Sequence, residues 1–148
     1  MTRISTDIDA MSLIGRLREL EDIYPGFSDW YCGKVIPGLA GGSRSVIVEM
    51  SDAGVVGIAI CKREPTELKL CTLWRDSATS GTDTSKRLVR ASMDWLGTTR
   101  PLFTVPSDRI ARLRPILNDI DVGKGVCIGS VYRPGVDEFV FNAPGMPR

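Results

Sequence analysis

The chain has 148 residues, 43% of them hydrophobic and 25% charged, with a formal net charge of +1. That is apolar matter enough for one domain spanning residues 1–148, and too little charge for a field that would draw nucleic acid or an anionic membrane. No run approaches the roughly 20 apolar residues of a membrane span, and MTRISTDIDAM lacks the apolar stretch of a secretion signal, so a cytoplasmic location is expected.

Asp7 or Asp9 can cap a first helix in which Leu13, Leu17, Leu20 and Tyr24 recur every three or four positions, up to Pro25-Gly26. Phe27, Trp30, Tyr31 and Val35 predict a second short helix closed by Pro37-Gly38, with its aromatic residues packed in the core. RSVIVEM (Arg44 to Met50) and VVGIAICK (Val55 to Lys62) are rich in β-branched residues, and Ser51-Asp52-Ala53-Gly54 between them reads as a hairpin turn. ELKLCTLW, from Glu67, follows the Glu64-Pro65 turn as a third strand and completes an antiparallel meander.

Beyond the polar stretch DSATSGTDTS, a helix carries Leu88, Ala91, Ser92, Trp95 and Leu96 on one face and ends at Gly97. LFTV (Leu102 to Val105) is an apolar run suited to a buried strand, reached from the third strand by a right-handed crossover. Ser107 can cap a further helix with Ile110, Leu113 and Leu117, which Pro115 should kink or end. GVCIGSVYR and DEFVFNA form two closing strands around Pro134-Gly135. The fold class is α+β with a mixed sheet: N-terminal helices, an antiparallel meander, a central β-α-β unit, then a helix and a hairpin.

Cys32, Cys61, Cys71 and Cys127 are widely spaced, without a C-x-x-C pair, and are expected as buried reduced thiols. With no histidine in the chain, no metal site is expected.

This order, together with "LKLCTL" ahead of the polar loop, "FTV" in the next strand and Tyr132, Glu138 and Asn142 in the closing hairpin, resembles the GCN5-related N-acetyltransferase (GNAT) family over roughly residues 27 to 142. The resemblance implies a site for acetyl-coenzyme A in which the backbone of Leu73, Trp74 and Arg75 holds the pantetheine. It also implies that the loop Ser80, Gly81, Thr82, Asp83, Thr84, Ser85 and Lys86 meets the diphosphate. In that family the loop runs Gln or Arg, two variable residues, Gly, any residue, then Gly or Ala, so that free amides at a helix start face the phosphates. Ser80, Asp83 and Ser85 occupy the three defining positions here, and all depart from the pattern. Asp83 would set a carboxylate beside bound phosphate, whereas as a helix cap it accepts the same amides itself. The hydroxyls of the loop, with Lys86, Arg87 and Arg90, can hold phosphate less tightly, and a solvated loop without a ligand explains the same letters.

Acetylation of an amine needs a group to take its proton, and often an acid to protonate the departing thiolate. Glu67 and Glu138 are the carboxylates placed to face a cleft, and Tyr132 is the candidate acid; each also reads as an ordinary strand or hairpin residue. Cys71 lies in the strand that would contact the cofactor but reads as core, since a thiol nucleophile lacks a histidine partner here. Arg109, Arg112 and Arg114 form a basic cluster that is either a solvated face or a local anion site, and no interleaved aromatics mark it for nucleic acid. Two readings follow. One is an acyl-coenzyme A dependent N-acyltransferase with weak cofactor affinity, acting on a small-molecule or protein amine. The other is a binding or regulatory protein that keeps the scaffold and has lost the cofactor. A different phosphorylated ligand is a third, smaller alternative, and a homodimer is compatible with any of them.

Overall fold

The computed structural model describes residues 2–78, 83–118, 120, 122, 125–129 and 132–143. In chain order, β1 (Arg3–Ser5) precedes the helical segments α1 (Leu20–Ile23), α2 (Phe27–Trp30) and α3 (Ile36–Ala40), then β2 (Arg44–Ser51), β3 (Gly54–Glu64) and β4 (Glu67–Arg75). Helix α4 (Asp83–Leu96), β5 (Phe103–Pro106), α5 (Ile110–Leu117), β6 (Val126–Ile128) and β7 (Glu138–Phe141) follow.

The strands form two antiparallel sheets, in the orders β1-β2-β3-β4 and β5-β7-β6. A parallel bridge between Lys69 and Leu102 joins them, with Leu70 N–H donating to Leu102 O at 2.9 Å and Leu102 N–H to Leu68 O at 2.8 Å. β4, α4 and β5 are thus the expected β-α-β unit. β1, which pairs with the outer edge of β2, is an addition, because three residues are too few to carry an alternation.

The first expected helix is broken. Asp9 does cap, accepting from Met11 N–H at 3.1 Å, but it opens a 3-10 turn over Ala10–Leu13, and tight turns continue to α1. Gly15, about 1 kcal/mol poorer than alanine in a helix, lies in the interrupted stretch. Leu13, Leu17 and Leu20 are buried as the spacing requires, yet Ile23 rather than Tyr24 completes the stripe. The second helix runs through Pro37-Gly38 to Ala40 instead of stopping there. A wide π-turn over Tyr31–Val35, in which Ile36 N–H bonds to Tyr31 O, precedes the proline and gives its ring room against the previous turn.

Two cores sandwich the first sheet. On one face Leu13, Leu17, Phe27 and Tyr31 pack on Val46, Val48, Ile58 and Ile60; on the other, Leu88, Val89 and Leu96 of α4 pack with Ile47, Ala59, Cys61, Phe103 and Phe141. Helix α4 lies so close to β3 that a Cβ at Gly57 would fall 2.7 Å from Leu88 Cδ1 and 2.7 Å from Thr84 Cγ2. Gly97, at φ 74°, ends the helix as expected, with its N–H and that of Thr98 both on Met93 O. Ser107 is not the cap of α5: its N–H donates to Asp137 O at 2.8 Å, and the helix begins behind Arg109 and carries Pro115 within it to Leu117. Cys61 is buried and Cys71 half-buried, whereas Cys32 and Cys127 are exposed, contrary to expectation; all four are free thiols. No described helix is long and apolar enough to cross a membrane.

Candidate functional site

The site begins with one extra residue. Ile60 faces Thr72 and Cys61 faces Leu70, which leaves Cys71 as a bulge in β4. A bulge bends its strand and resets the alternation of faces. Leu70 and Leu73 therefore both pack on the α4 side, while Cys71 and Trp74 pack on the other. The bulge falls just past the Lys69–Leu102 bridge, where the ladder between β4 and β5 stops. Beyond Leu70, one backbone edge of β4 pairs with β3, and the other makes no strand bond among the described residues.

That free edge borders a cleft of about 480 Å³ between β4 and β5, floored by Ser85 and Val89 of α4 and closed on the far side by α5. Leu73, Trp74 and Arg75 line it, and so does Ser85. Ser80, Gly81 and Thr82 lie outside the described residues. Asp83, expected as the cap of α4, is the first described residue of the helix itself, and it is exposed. Thr84 turns away from the cleft and is buried, taking a bond from Arg87 Nη2 at 3.4 Å. Neither Asp83 nor Lys86 lines the cleft among the described residues. Arg87 is also withdrawn, because its guanidinium bonds the buried carboxylate of Glu49. The cations that do line the cleft are Arg75, Arg109 and Arg112. Arg109 and Arg112 are three residues apart and so share a face of the turn that opens α5.

A second hollow of about 200 Å³ shares Tyr24, Cys71, Thr72 and Thr104 with the first, so the two meet through the gap between β4 and β5. Tyr132 lines this hollow and meets Tyr24 edge to face, with ring centroids 5.1 Å apart. Glu138 sits opposite Pro106 in the β5–β7 register, on the same sheet face as Thr104. It is 1% exposed, and its Oε1 has no hydrogen-bond partner among the described residues. Burial pushes its carboxyl above the ordinary range and Asp108 adds to this, against the opposing pull of Arg133. Tyr24 is pushed up to about 12, first by burial and then by the charge of Glu138.

The structure therefore gathers Tyr132 and Glu138 and leaves Glu67 out. Glu67 stands at the first position of β4, on the other side of the bridge from the cleft, with its carboxylate 3.1 Å from Lys62 Nζ. Tyr24 is the residue that sequence reasoning missed, having been counted as a helix-stripe position. The signal was its place directly before Pro25-Gly26, where the chain leaves the helix and redirects the ring. Trp30, expected in the core, is half-buried and lines the second hollow. Cys71 is held as a thiol by burial, with Arg44 Nη1 3.5 Å from its sulfur.

No protein-family model matches the chain, and no curated protein matches it. Solved structures do. The ribosomal-protein-S18-alanine N-acetyltransferase from Escherichia coli superposes with a TM-score of 0.67 at 13% identity, over 95% of this chain and 92% of that one. A GNAT-family acetyltransferase from Bacillus cereus gives 0.66 at 10% identity, over 95% of both chains. An assigned acetyltransferase from Salmonella typhimurium, solved with its cofactor acetyl-CoA, gives 0.66 at 13% identity, over 95% and 91%. The chain has the GNAT fold.

Proposed function

We propose that the protein is an acyl-coenzyme A dependent N-acyltransferase that moves an acetyl group to an amine. The observation that carries this reading is the passage itself. A bulge at Cys71 opens a cleft beside a strand edge, and that cleft meets a hollow walled by Tyr24 and Tyr132; behind the wall the buried, partly unbonded carboxylate of Glu138 acts on Tyr24 through its charge.

The residues fit the cofactor in an altered way. The edge of β4 from Thr72 to Trp74 offers backbone groups to the pantetheine arm, and the volume is within the range of small-molecule sites. Arg109 and Arg112 supply the charge for the phosphates that Arg87, bound to Glu49, does not. Bound there, acetyl-coenzyme A supplies an electrophilic thioester carbonyl and a thiolate leaving group. Glu138 takes the proton that the acceptor ammonium must lose; its raised pKa brings it nearer to neutrality, where a base works best. Tyr132, at the mouth of the hollow, holds a phenolic proton for the departing sulfur. The exposed carboxylate of Asp83 at the start of α4 repels phosphate, and weak affinity follows.

Thiol release from acetyl-coenzyme A in the presence of an amine panel tests the reading. Glu138→Gln is expected to lower kcat by about a hundredfold or more, and Tyr132→Phe by less, with cofactor affinity kept in both. Wild-type turnover in both variants would remove the catalytic assignment.

A further inference from the structure

We propose that the second hollow selects a small aromatic amine carrying an anionic group, in preference to a polyamine or a lysine side chain; this rests on the acyltransferase reading above. Its walls are aromatic, formed by Tyr24, Phe27, Trp30 and Tyr132, which suits a flat apolar body. At about 200 Å³ it is smaller than the sites of drug-sized ligands, so one ring with short substituents fills it.

Charge sets the rest of the preference. Lys69 is the only charged side chain lining the hollow among the described residues, and no carboxylate lines it. Lys69 faces Lys62 directly across the β3–β4 ladder, a like-charge pair that is unfavourable without a counter-anion. The nearby carboxylates serve the other lysine: Glu67 lies 3.1 Å and Glu64 3.6 Å from Lys62 Nζ. Lys69 makes no ion pair among the described residues. Arg44 adds a second cation behind the wall, 5.5 Å from the centroid of the Trp30 ring. A polycation entering here would meet positive charge and no carboxylate on the lining, whereas a carboxylate or phosphate on the acceptor completes the lysine pair. Lys69 lies level with Leu102, and Glu138 level with Pro106 at the far end of β5. The anion therefore points towards the bridge and the amine towards Glu138.

The experiment compares 4-(aminomethyl)benzoate, benzylamine and spermidine as acceptors at saturating acetyl-coenzyme A. The acid is expected to have a kcat/KM about tenfold above benzylamine, with spermidine lowest. Lys69→Glu is expected to cancel or invert the ratio of acid to benzylamine, and Lys69→Met, which keeps the side-chain length, to cancel it without inversion. Ligand-observed NMR reads the same ratio as relative affinity without turnover or cofactor, so the two proposals fail separately. Absence of acetyl-coenzyme A binding overturns the acyltransferase reading. Equal binding of acid and benzylamine, a preference for spermidine, or a ratio unmoved by Lys69→Glu overturns this one.

Discussion

The carboxylate of Glu49, wholly buried on β2, is bonded by the guanidinium of Arg87 reaching in from α4, with Nη2 3.2 Å from Oε2. Thr2 donates its hydroxyl to the same carboxylate at 3.1 Å. This pair ties the second turn of α4 to the sheet and takes Arg87 out of the phosphate cleft. Arg87→Met leaves a buried carboxylate short of its charged partner, and a loss of about 2–3 kcal/mol is expected in denaturant unfolding. Burial alone would raise the pKa of Glu49, but the bonds from Arg87, Thr84 and Thr2 outweigh it and hold the carboxyl below its ordinary 4.5. A depressed folded-state pKa contributes stability above 4.5 that is lost as pH falls through the lower folded value. Arg87→Met is expected to flatten that acid limb.

Glu138 behaves in the opposite sense. Its carboxyl titrates above 4.5 in the folded chain, so the folded state gains from its proton at low pH and loses that gain as pH rises through the folded value. Glu138→Gln is therefore expected to be more stable than wild type at neutral pH, with the difference closing below about pH 4.5, while transfer activity falls. Thermal unfolding across pH checks the first part. A neutral-pH loss of stability in this variant would show that the carboxylate is a structural group.

Gly57 marks where α4 comes closest to β3. Gly57→Ala drives a methyl into Leu88 and Thr84, at a cost of about 1–3 kcal/mol. Combining it with Leu88→Ala is expected to cost less than the sum of the two single changes, a coupling that a double-mutant cycle measures.

The arginines of the cleft are assigned the phosphates. Arg109→Ala combined with Arg112→Ala is expected to weaken acetyl-coenzyme A binding by about tenfold to a hundredfold, because charge-assisted contacts are lost. Lys86→Ala, at a position that does not line the cleft, is expected to change affinity by less than about twofold. Titration calorimetry separates the two. Asp83→Gly is expected to tighten binding modestly, by removing a negative charge from the N-terminal end of α4.

Strands β2 and β3 were legible because β-branched residues announce them and Gly54 punctuates the turn, and β4 because it follows the Glu64-Pro65 turn; α4 was legible from its apolar face and from Gly97. Glu138 was legible as a strand residue, and β7 sets its face; Tyr132 lies outside the strands and meets Tyr24 through packing. What could not be read depends on packing. The bulge at Cys71 carries no glycine or proline to mark it, yet it opens the cleft. The π-turn ahead of Pro37 contradicts the local rule that a proline closes a helix. Thr84 and Arg87 look like loop and solvent residues until the buried Glu49 on β2, 35 and 38 positions earlier, is seen to claim them. Glu67 lies on the other side of the bridge from the cleft, paired with Lys62, which its position at the head of a strand did not reveal.

The most direct measurement is a calorimetric titration of the wild-type chain with acetyl-coenzyme A, paired with its thermal shift. One site per chain is expected, with an unfolding midpoint that rises with ligand, since occupancy at a hundred times Kd stabilises by about 2.7 kcal/mol. No heat and no shift at millimolar acetyl-coenzyme A would contradict the assignment of the β4–β5 cleft as a cofactor site.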